Sequence, residues 1–350
     1  MEELIKKNPM NDVMKDLEEG VANLFDSENY KNYLNVMSKF YNYIFNNNLL
    51  IAMQRPDATH IASYTAWKEE FGRNVRKGEK GISIIAPVIT KELVEKQKYD
   101  YKTKKPLYDE NGNPVMEKKE QTKTTFRVTK VFDISQTEGK ELPEIVHKLN
   151  GTTENANEMI SVLGMVSPVP IRVGNTGSSA NGYYSSKDKE IVIRDGLSDT
   201  QTIKTCVHEI SHAMLHDKDL LDKARLPIPD ARTREVQAES IAYAVCRHFD
   251  IDSSDYSFGY IASWSKDKEL SELKTSMNTI RFTANKIISK VEKELFPEKE
   301  KITEKAKEVK EAKEVKETMD IKCNGKFLGD NSNYRTLGNK QYSGSRYRSK

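Results

Sequence analysis

Two histidines and a glutamate in the stretch HEISH have the spacing of a catalytic metal site. His208 and His212 are four residues apart, and Glu209 directly follows the first of them. Residues four apart on an α-helix lie one turn from each other on the same face, so both imidazoles can bind one zinc ion. Glu209 is rotated by about 100° from His208. It therefore lies beside the ion, where a general base that activates a water molecule is needed.

The next predicted helix offers the third ligand. Glu235 and Glu239 are again four residues apart and share one helix face. We expect Glu235 to bind Zn2+ together with His208 and His212, and Glu239 to orient a ligand histidine. The two glutamates could also exchange these roles. Three protein ligands leave a fourth position open for water, which is typical of a catalytic zinc site, here of the gluzincin type.

Capping signals predict where both helices begin. The tetrapeptide Ser198–Gln201 has the form of a capping box, which favours a helix over about residues 199–217. Asp230 follows two nearby prolines and can cap a second helix over about residues 231–249. These two helices would carry all the predicted ligands.

A strand is predicted just ahead of the first helix, in the segment KEIVIRDG. We expect it to be an edge strand along which a peptide could bind, as substrates commonly do in zinc peptidases. Tyr183 and Tyr184 precede it, and they either shape the cleft or are ordinary strand aromatics. His216 lies about 12 Å from His208 along a straight helix. It is therefore expected at the edge of the site or packed in the core, not as a ligand.

Composition excludes several classes of protein. The chain has 350 residues and a formal net charge of only +3, so no global field favours nucleic acid. It contains no apolar run of about 18 residues, and its N-terminus lacks the features of a signal peptide. The three cysteines are odd in number and far apart, which favours a reducing cytoplasm over a disulfide framework.

The pattern along the chain predicts an α+β protein of two domains with a charged tail. We expect the first domain at residues 12–142, the second at 145–292 and the tail at 293–350. In the first domain, apolar residues at helical spacing predict an amphipathic helix within residues 30–54. The lysine-rich stretch from about residue 92 to 125 is either a hairpin that turns at Asn111 and Gly112 or a flexible insertion. KAKEVKEAKEVKE in the tail is typical of a solvated single helix.

Several blocks of the sequence resemble a known family. The segment NNNLLIAMQRPDATHIASYTAWKEEFGRNVRKGEKGISIIAPV is similar to the N-terminal domain of the ArdC antirestriction family, and VFDISQTEG matches a second block of it. The half that contains HEISH and ends in YSFGYIASWS resembles the metallopeptidase domain of the same family and of LtrC-like proteins. The resemblance covers residues from about 15 to 290.

The resemblance implies a single-stranded-DNA-binding domain joined to a zincin-like metallopeptidase domain. It also implies carriage on a mobile genetic element, where such proteins protect incoming single strands during conjugation from host restriction. In the first domain, basic side chains around flexible glycines could approach phosphate and two aromatic rings could stack on bases. The candidate contacts are Arg73, Arg76, Lys77, Lys80, Tyr64 and Trp67. Trp67 could instead belong to the core, and the basic loop could be a solvated turn.

The sequence is compatible with three functions. The chain could be a DNA-protection protein that binds single strands without sequence preference and carries a zinc peptidase-like domain. It could instead be an active zinc endopeptidase that cleaves a host or element regulator, with the first domain only for recruitment. Finally, it could be a binding protein without catalytic activity, in which zinc is structural. None of these predictions involves a membrane.

Overall fold

The computed structural model describes residues 9–142, 153–252, 254–256 and 258–297. The charged segment predicted as a single helix and nearly all of the predicted tail lie outside these residues. Helices and strands are mixed in both halves of the chain, which confirms the predicted α+β class. Within these ranges, no helix combines the length and the apolar character that a membrane-spanning segment needs.

The N-terminal half begins with three helices. They are α1 (Pro9–Asn23), α2 (Ser27–Lys39) and α3 (Phe45–Gln54). The Asp26 carboxylate caps α2 by accepting hydrogen bonds from two backbone N–H groups. The sequence predicted one amphipathic helix in this region, but a turn after Phe40 divides it in two. The apolar stripe continues on both sides of the turn because α2 and α3 pack against each other.

Short strands and a long hairpin complete this half. They are β1 (Ile61–Ser63), α4 (Tyr64–Glu69), β2 (Arg73–Val75), β3 (Ile82–Gln97), β4 (Met116–Asp133) and β5 (Thr137–Gly139). One sheet has the strand order β1-β4-β3, and β2 pairs antiparallel with β5 in a second. The β2–β5 pair joins the two sequence blocks that resemble the ArdC family, because VRKGEKG begins in β2 and VFDISQTEG ends in β5.

The middle of the hairpin, residues 85–129, is a compact unit of its own. Its strands are linked by contacts such as the ion pair of 2.8 Å between Lys91 Nζ and Glu120 Oε2. Asn111 and Gly112 lie in its terminal turn, where the Asp109 carboxylate accepts hydrogen bonds from the backbone of Asn111 and Asn113. Gly112 has a φ of +79°, which favours glycine. Of the two alternatives for this region, the structure therefore shows the hairpin.

The C-terminal half consists of a small sheet and six helices in the described ranges. They are α5 (Thr153–Val166), β6 (Ile171–Gly174), β7 (Gly182–Ser185), β8 (Glu190–Arg194), α6 (Asp199–Leu215), α7 (Lys218–Ala224), α8 (Ala231–His248), α9 (Ile261–Ser265) and α10 (Leu270–Leu295). Helix α8 packs against α6 and α10 from its own half and against α2 from the N-terminal half. Apart from the hairpin, both halves thus share one compact unit.

The strand order in this half corrects one prediction. Strand β8, which contains the segment EIVIR, lies between β6 and β7 and is the central strand of its sheet, not an edge. Ile191, Val192 and Ile193 are all buried, so both faces of the strand are covered. A continuous apolar run is typical of such a strand. The edge strand on the side of α6 is β7, which packs against that helix.

Candidate metal centre

The two helices of the candidate site begin where the sequence predicted. The Ser198 hydroxyl accepts a hydrogen bond of 3.3 Å from the backbone N–H of Gln201, which caps α6. The Asp230 carboxylate accepts hydrogen bonds from the backbone and the hydroxyl of Thr233, at 3.0 and 2.6 Å, which cap α8. Both caps satisfy N–H groups that have no partner within the helix. The helices then pack side by side.

This packing brings three possible ligands together. The Nε2 atoms of His208 and His212 are 3.0 Å apart. The carboxylate oxygens of Glu235 lie 3.4 Å from Nε2 of His208 and 3.5 Å from Nε2 of His212. Two ligands on a tetrahedral ion with bonds of about 2.0–2.1 Å are separated by about 3.4 Å. The spacing and the donor types therefore fit one divalent metal ion held by these three side chains.

The charges of the three side chains also favour a cation between them. The imidazoles of His208 and His212, whose Nε2 atoms lie 3.4 and 3.5 Å from its oxygens, hold the pKa of Glu235 well below its usual range, so its carboxylate is ionised. Burial alone would lower the pKa of His208, but the hydrogen bond to Glu235 and the nearby carboxylates outweigh it and raise the pKa. A cation placed between these groups would take over the role of the histidine proton.

Glu209 lies beside the ligands and is buried. The residue is 7% exposed, and its carboxylate lies near the backbone N–H of Tyr184 on β7. Burial raises the pKa of Glu209, while the two neighbouring histidines partly oppose this shift. A carboxylate with a raised pKa is suited to accept and return a proton near neutral pH. The residue is therefore placed and tuned as a general base would be.

Glu239 lies one turn after Glu235 on α8 and is half-buried, and burial raises its pKa. The sequence predicts that it orients a ligand histidine. Across the described residues, its carboxylate makes no hydrogen bond to His208 or His212. It is instead close enough for its charge to raise the pKa of His208.

The contact behind His212 is made by His216. Their Nδ1 atoms are 2.9 Å apart, and Nε2 of His216 lies 2.9 Å from Oε1 of Gln237. The Gln237 amide in turn donates a hydrogen bond of 2.9 Å to the hydroxyl of Ser276 on α10. Burial lowers the pKa of His216 to about 4, which keeps the ring neutral. The sequence placed His216 near the site, but no local pattern pointed to Gln237 or Ser276.

A cleft of about 480 Å³ opens over the candidate ligands. The edge strand β7 forms one wall with Tyr183 and Tyr184, and Arg234 on α8 lies on another side. The tyrosines therefore shape the cleft, which was one of the two alternatives. Tyr184 is held in place because its hydroxyl donates to the buried carboxylate of Asp217, the residue that caps α7.

The residues proposed to contact DNA fall into a buried group and an exposed group. Trp67 is only 1% exposed, and its indole N–H donates a hydrogen bond of 2.8 Å to the carbonyl of Phe132. Its ring is therefore a core element, which corrects the expectation that it stacks on bases. Tyr64 is 57% exposed, and its ring is open to solvent. Lys77 and Lys80 are also exposed.

The two arginines of the basic loop hold the loop itself. The Arg73 guanidinium donates to the hydroxyl and the carbonyl of Thr137, at 2.7 and 3.2 Å. Arg76 donates to the carbonyl of Ser135 at 2.6 Å and forms an ion pair of 2.7 Å with Glu79. Both side chains thus fasten the loop before β3 to the segment around β5. Lys77 and Lys80 are exposed, and Arg76 is exposed as well, but its guanidinium is engaged by the loop itself.

Comparison with known families agrees with this architecture. Residues 3–132 match the model of the N-terminal domain of anti-restriction factor ArdC, and residues 169–246 match that of the IrrE N-terminal-like domain of peptidase family M78. The chain therefore carries an N-terminal domain of the ArdC type. The resemblance inferred from the sequence blocks is therefore confirmed, and the peptidase-like match contains every candidate ligand.

Related proteins extend the comparison. The chain is 30% identical over 292 residues to an uncharacterized protein of Bacillus anthracis, and the match covers 75% of this chain and 47% of the relative. The chain thus spans about half the length of that relative. Crystal structures of the antirestriction ArdC protein from the R388 plasmid, metal-free and Mn(II)-bound, are 20% identical. Both matches cover 71% of this chain. They cover 84% of the metal-free chain and 83% of the Mn(II)-bound chain, with TM-scores of 0.43 and 0.42.

Proposed function

We propose that this chain is an antirestriction-type protein of a mobile genetic element that binds single-stranded DNA and carries a zinc peptidase-like centre. The observation that carries the proposal is the pairing of an ArdC N-terminal domain with the cluster of His208, His212 and Glu235. We assign DNA binding to residues 12–142 and the metal to residues 145–292. The buried thiols of Cys206 and Cys246 suit a reducing compartment, and we place the protein in the cytoplasm.

In this proposal, His208, His212 and Glu235 hold Zn2+. When bound, the ion would acidify a water molecule and polarise a substrate carbonyl. Glu209 would accept the proton of that water and later deliver it to the leaving amine, which its raised pKa favours. The nearby backbone N–H of Tyr184 would help to hold the Glu209 carboxylate. An extended peptide would lie along the free edge of β7.

Lys77, Lys80 and Tyr64 supply the proposed DNA surface. The two ammonium groups are exposed and can contact successive phosphates, and the exposed tyrosine ring can stack on a base. Neither type of contact distinguishes one base sequence from another, so binding would be sequence-independent.

A working endopeptidase is the second candidate. It is favoured by the cleft itself, since Glu209, the cluster of ligands and the edge strand β7 line the same opening. A purely structural metal would not require a buried glutamate beside it or an accessible edge strand. In that case the substrate would be a protein regulator, and the N-terminal domain would recruit it.

One binding experiment tests the proposal. The full chain is titrated with fluorescent single-stranded and duplex oligonucleotides at several salt concentrations, and zinc content is measured on the same samples. The variants are His208→Ala/His212→Ala and Lys77→Ala/Lys80→Ala. We expect single strands to bind best, the lysine variant to lose DNA and the histidine variant to lose only zinc. If the wild type binds no single-stranded DNA, the antirestriction function is wrong. If it carries no metal, the peptidase-like centre is wrong.

A further inference from the structure

We propose that His216, Gln237 and Ser276 form a hydrogen-bond relay that fixes the tautomer of His212 and so prepares this histidine to bind metal. The three are positioning residues, because they act through His212. The inference rests on the proposed metal site and adds to it a determinant of metal affinity that lies outside the group of ligands.

The relay crosses three helices in the interior. It starts at His212 and His216 on α6, passes to Gln237 on α8 and ends at Ser276 on α10. Each of its three contacts is 2.9 Å long. His216, Gln237 and Ser276 are all buried, so water cannot replace a missing partner at low cost. A chain of this kind must therefore be consistent in its donors and acceptors.

The orientation of the Gln237 amide determines which atom donates and which accepts in each hydrogen bond of the relay. Its NH₂ group faces the Ser276 hydroxyl, so its carbonyl oxygen faces His216. Since a carbonyl oxygen only accepts hydrogen bonds, Nε2 of His216 must carry the proton. A neutral imidazole has one N–H, which leaves Nδ1 of His216 as an acceptor.

The contact between the two histidines then has only one solution. Two Nδ1–H groups would repel each other at 2.9 Å, so His212 must supply the proton to His216. His212 therefore has its proton on Nδ1 and a free lone pair on Nε2. This Nε2 atom is the one that lies beside His208 and Glu235. The relay thus presents His212 in the form that a metal requires.

The reverse arrangement shows why this direction matters. If the Gln237 amide were turned over, its NH₂ group would donate to Nε2 of His216. His216 would then donate from Nδ1 to His212, and His212 would carry its proton on Nε2, where it blocks the ion. Loss of the Gln237 carbonyl would therefore divide His212 between a binding and a blocked tautomer. Partners of this kind are typically worth about 10- to 100-fold in metal affinity.

Two substitutions of Gln237 by side chains of similar size distinguish the effect of hydrogen-bond direction from the effect of packing. Gln237→Met removes both polar groups, whereas Gln237→Glu keeps an acceptor toward His216 and so keeps the direction of the relay. Ser240→Ala is the matched control, because Ser240 is buried on the same helix and bonds to Tyr30 outside the relay. Zinc affinity of the full chain is measured by competition with a chromogenic chelator. The N–H position of His212 is read by long-range nitrogen–proton NMR on the zinc-free protein.

We expect Gln237→Met to lose about 10- to 100-fold in zinc affinity and to show both tautomers of His212. Gln237→Glu and Ser240→Ala should keep affinity close to that of the wild type and the Nδ1–H tautomer. The relay is overturned if Gln237→Met binds zinc like the wild type, or if Gln237→Glu loses as much as Gln237→Met. If the wild type binds no zinc, the proposed metal site fails instead. The NMR spectrum then still decides the relay, because an Nε2–H tautomer of His212 in the wild type would contradict it.

Discussion

The hydroxyl groups of Tyr30 and Ser240 share a hydrogen bond of 2.8 Å in the interior of the protein. Tyr30 belongs to α2 and Ser240 to α8, the helix that carries Glu235. A second link lies nearby, where the Tyr243 hydroxyl donates a hydrogen bond of 2.6 Å to the Asn35 side chain. The helix that carries Glu235 is therefore held partly by the N-terminal half of the chain.

This relationship predicts that stability is shared between the two halves. Tyr30→Phe leaves the buried Ser240 hydroxyl without its partner, so we expect unfolding to become easier by about 1–3 kcal/mol. Urea unfolding can be followed by fluorescence, because Trp67 and Trp264 report on the N-terminal and C-terminal halves. We expect one transition that moves as a whole. Tyr64→Phe on the exposed ring is the control and should change stability by less than about 0.5 kcal/mol. Two separate transitions would contradict a shared core.

A second prediction concerns Glu209 alone. Glu209→Gln keeps the shape of the side chain and removes its ability to accept a proton, while the three ligands are untouched. We expect zinc content to stay at the wild-type level and the cleavage rate of a quenched peptide library to fall by about 10²- to 10⁴-fold. A variant that cleaves as well as the wild type would exclude Glu209 as the general base. Loss of zinc in the variant would assign it a structural role instead.

Local signals were sufficient for the helices of the site. The cap at Ser198, the cap at Asp230 and the i, i+4 spacing of the ligands are each contained in a few consecutive residues, and helix geometry converts them directly into positions. The strand order was not predictable in this way. An apolar segment such as that of β8 has the same sequence pattern at any buried position, and its two neighbours in the sheet come from elsewhere in the chain.

Long-range contacts explain what the sequence left undecided. The sequence left Trp67 open to a surface or a core position, because its hydrogen-bond partner, the carbonyl of Phe132, is contributed by the distant strand β4. Gln237 and Ser276 are unremarkable in sequence, since they are far apart and only the packing of α8 against α10 joins them. Polar residues whose partners are distant in sequence carry no local signal, and these were the residues that sequence reasoning missed.

The third prediction concerns the basic loop and distinguishes side chains that contact DNA from side chains that stabilise the fold. Lys77→Ala/Lys80→Ala removes two exposed charges, so we expect weaker binding to single strands. The slope of log affinity against log salt concentration should decrease by about 0.7 for each phosphate contact that is lost. Fluorescence anisotropy with a thymine oligonucleotide at several salt concentrations measures both effects. An unchanged slope would place the DNA contacts elsewhere.

Arg76→Ala is the informative companion to that variant. Its guanidinium holds the carbonyl of Ser135 and pairs with Glu79, so its loss should destabilise the fold as well as remove a charge. We expect a lower midpoint of thermal unfolding for Arg76→Ala and an unchanged midpoint for Lys77→Ala/Lys80→Ala. Equal midpoints for the two variants would show that the arginine does not fasten the loop.

The last prediction concerns Asp217 and pH. Its carboxylate is only 3% exposed and accepts hydrogen bonds from Lys189 at 2.6 Å and from the Tyr184 hydroxyl. Burial alone would raise the pKa of Asp217, but these bonds outweigh it and hold the pKa well below its usual range. The ionised form therefore stabilises the folded protein above the unfolded pKa of about 3.9. This contribution is lost as pH falls below that value.

Asp217→Asn should consequently be most destabilising at neutral pH, by about 1–3 kcal/mol. The difference from the wild type should shrink as the pH is lowered below about 4. Asp188→Asn is the matched control, because Asp188 lies exposed in the turn between β7 and β8, next to Lys189, and should show no such trend. Urea unfolding of the three proteins between pH 3 and pH 7 measures the effect. A constant difference across that range would mean that Asp217 acts through its shape and not its charge. The anchoring of Tyr184 in the wall of the cleft would then not depend on pH.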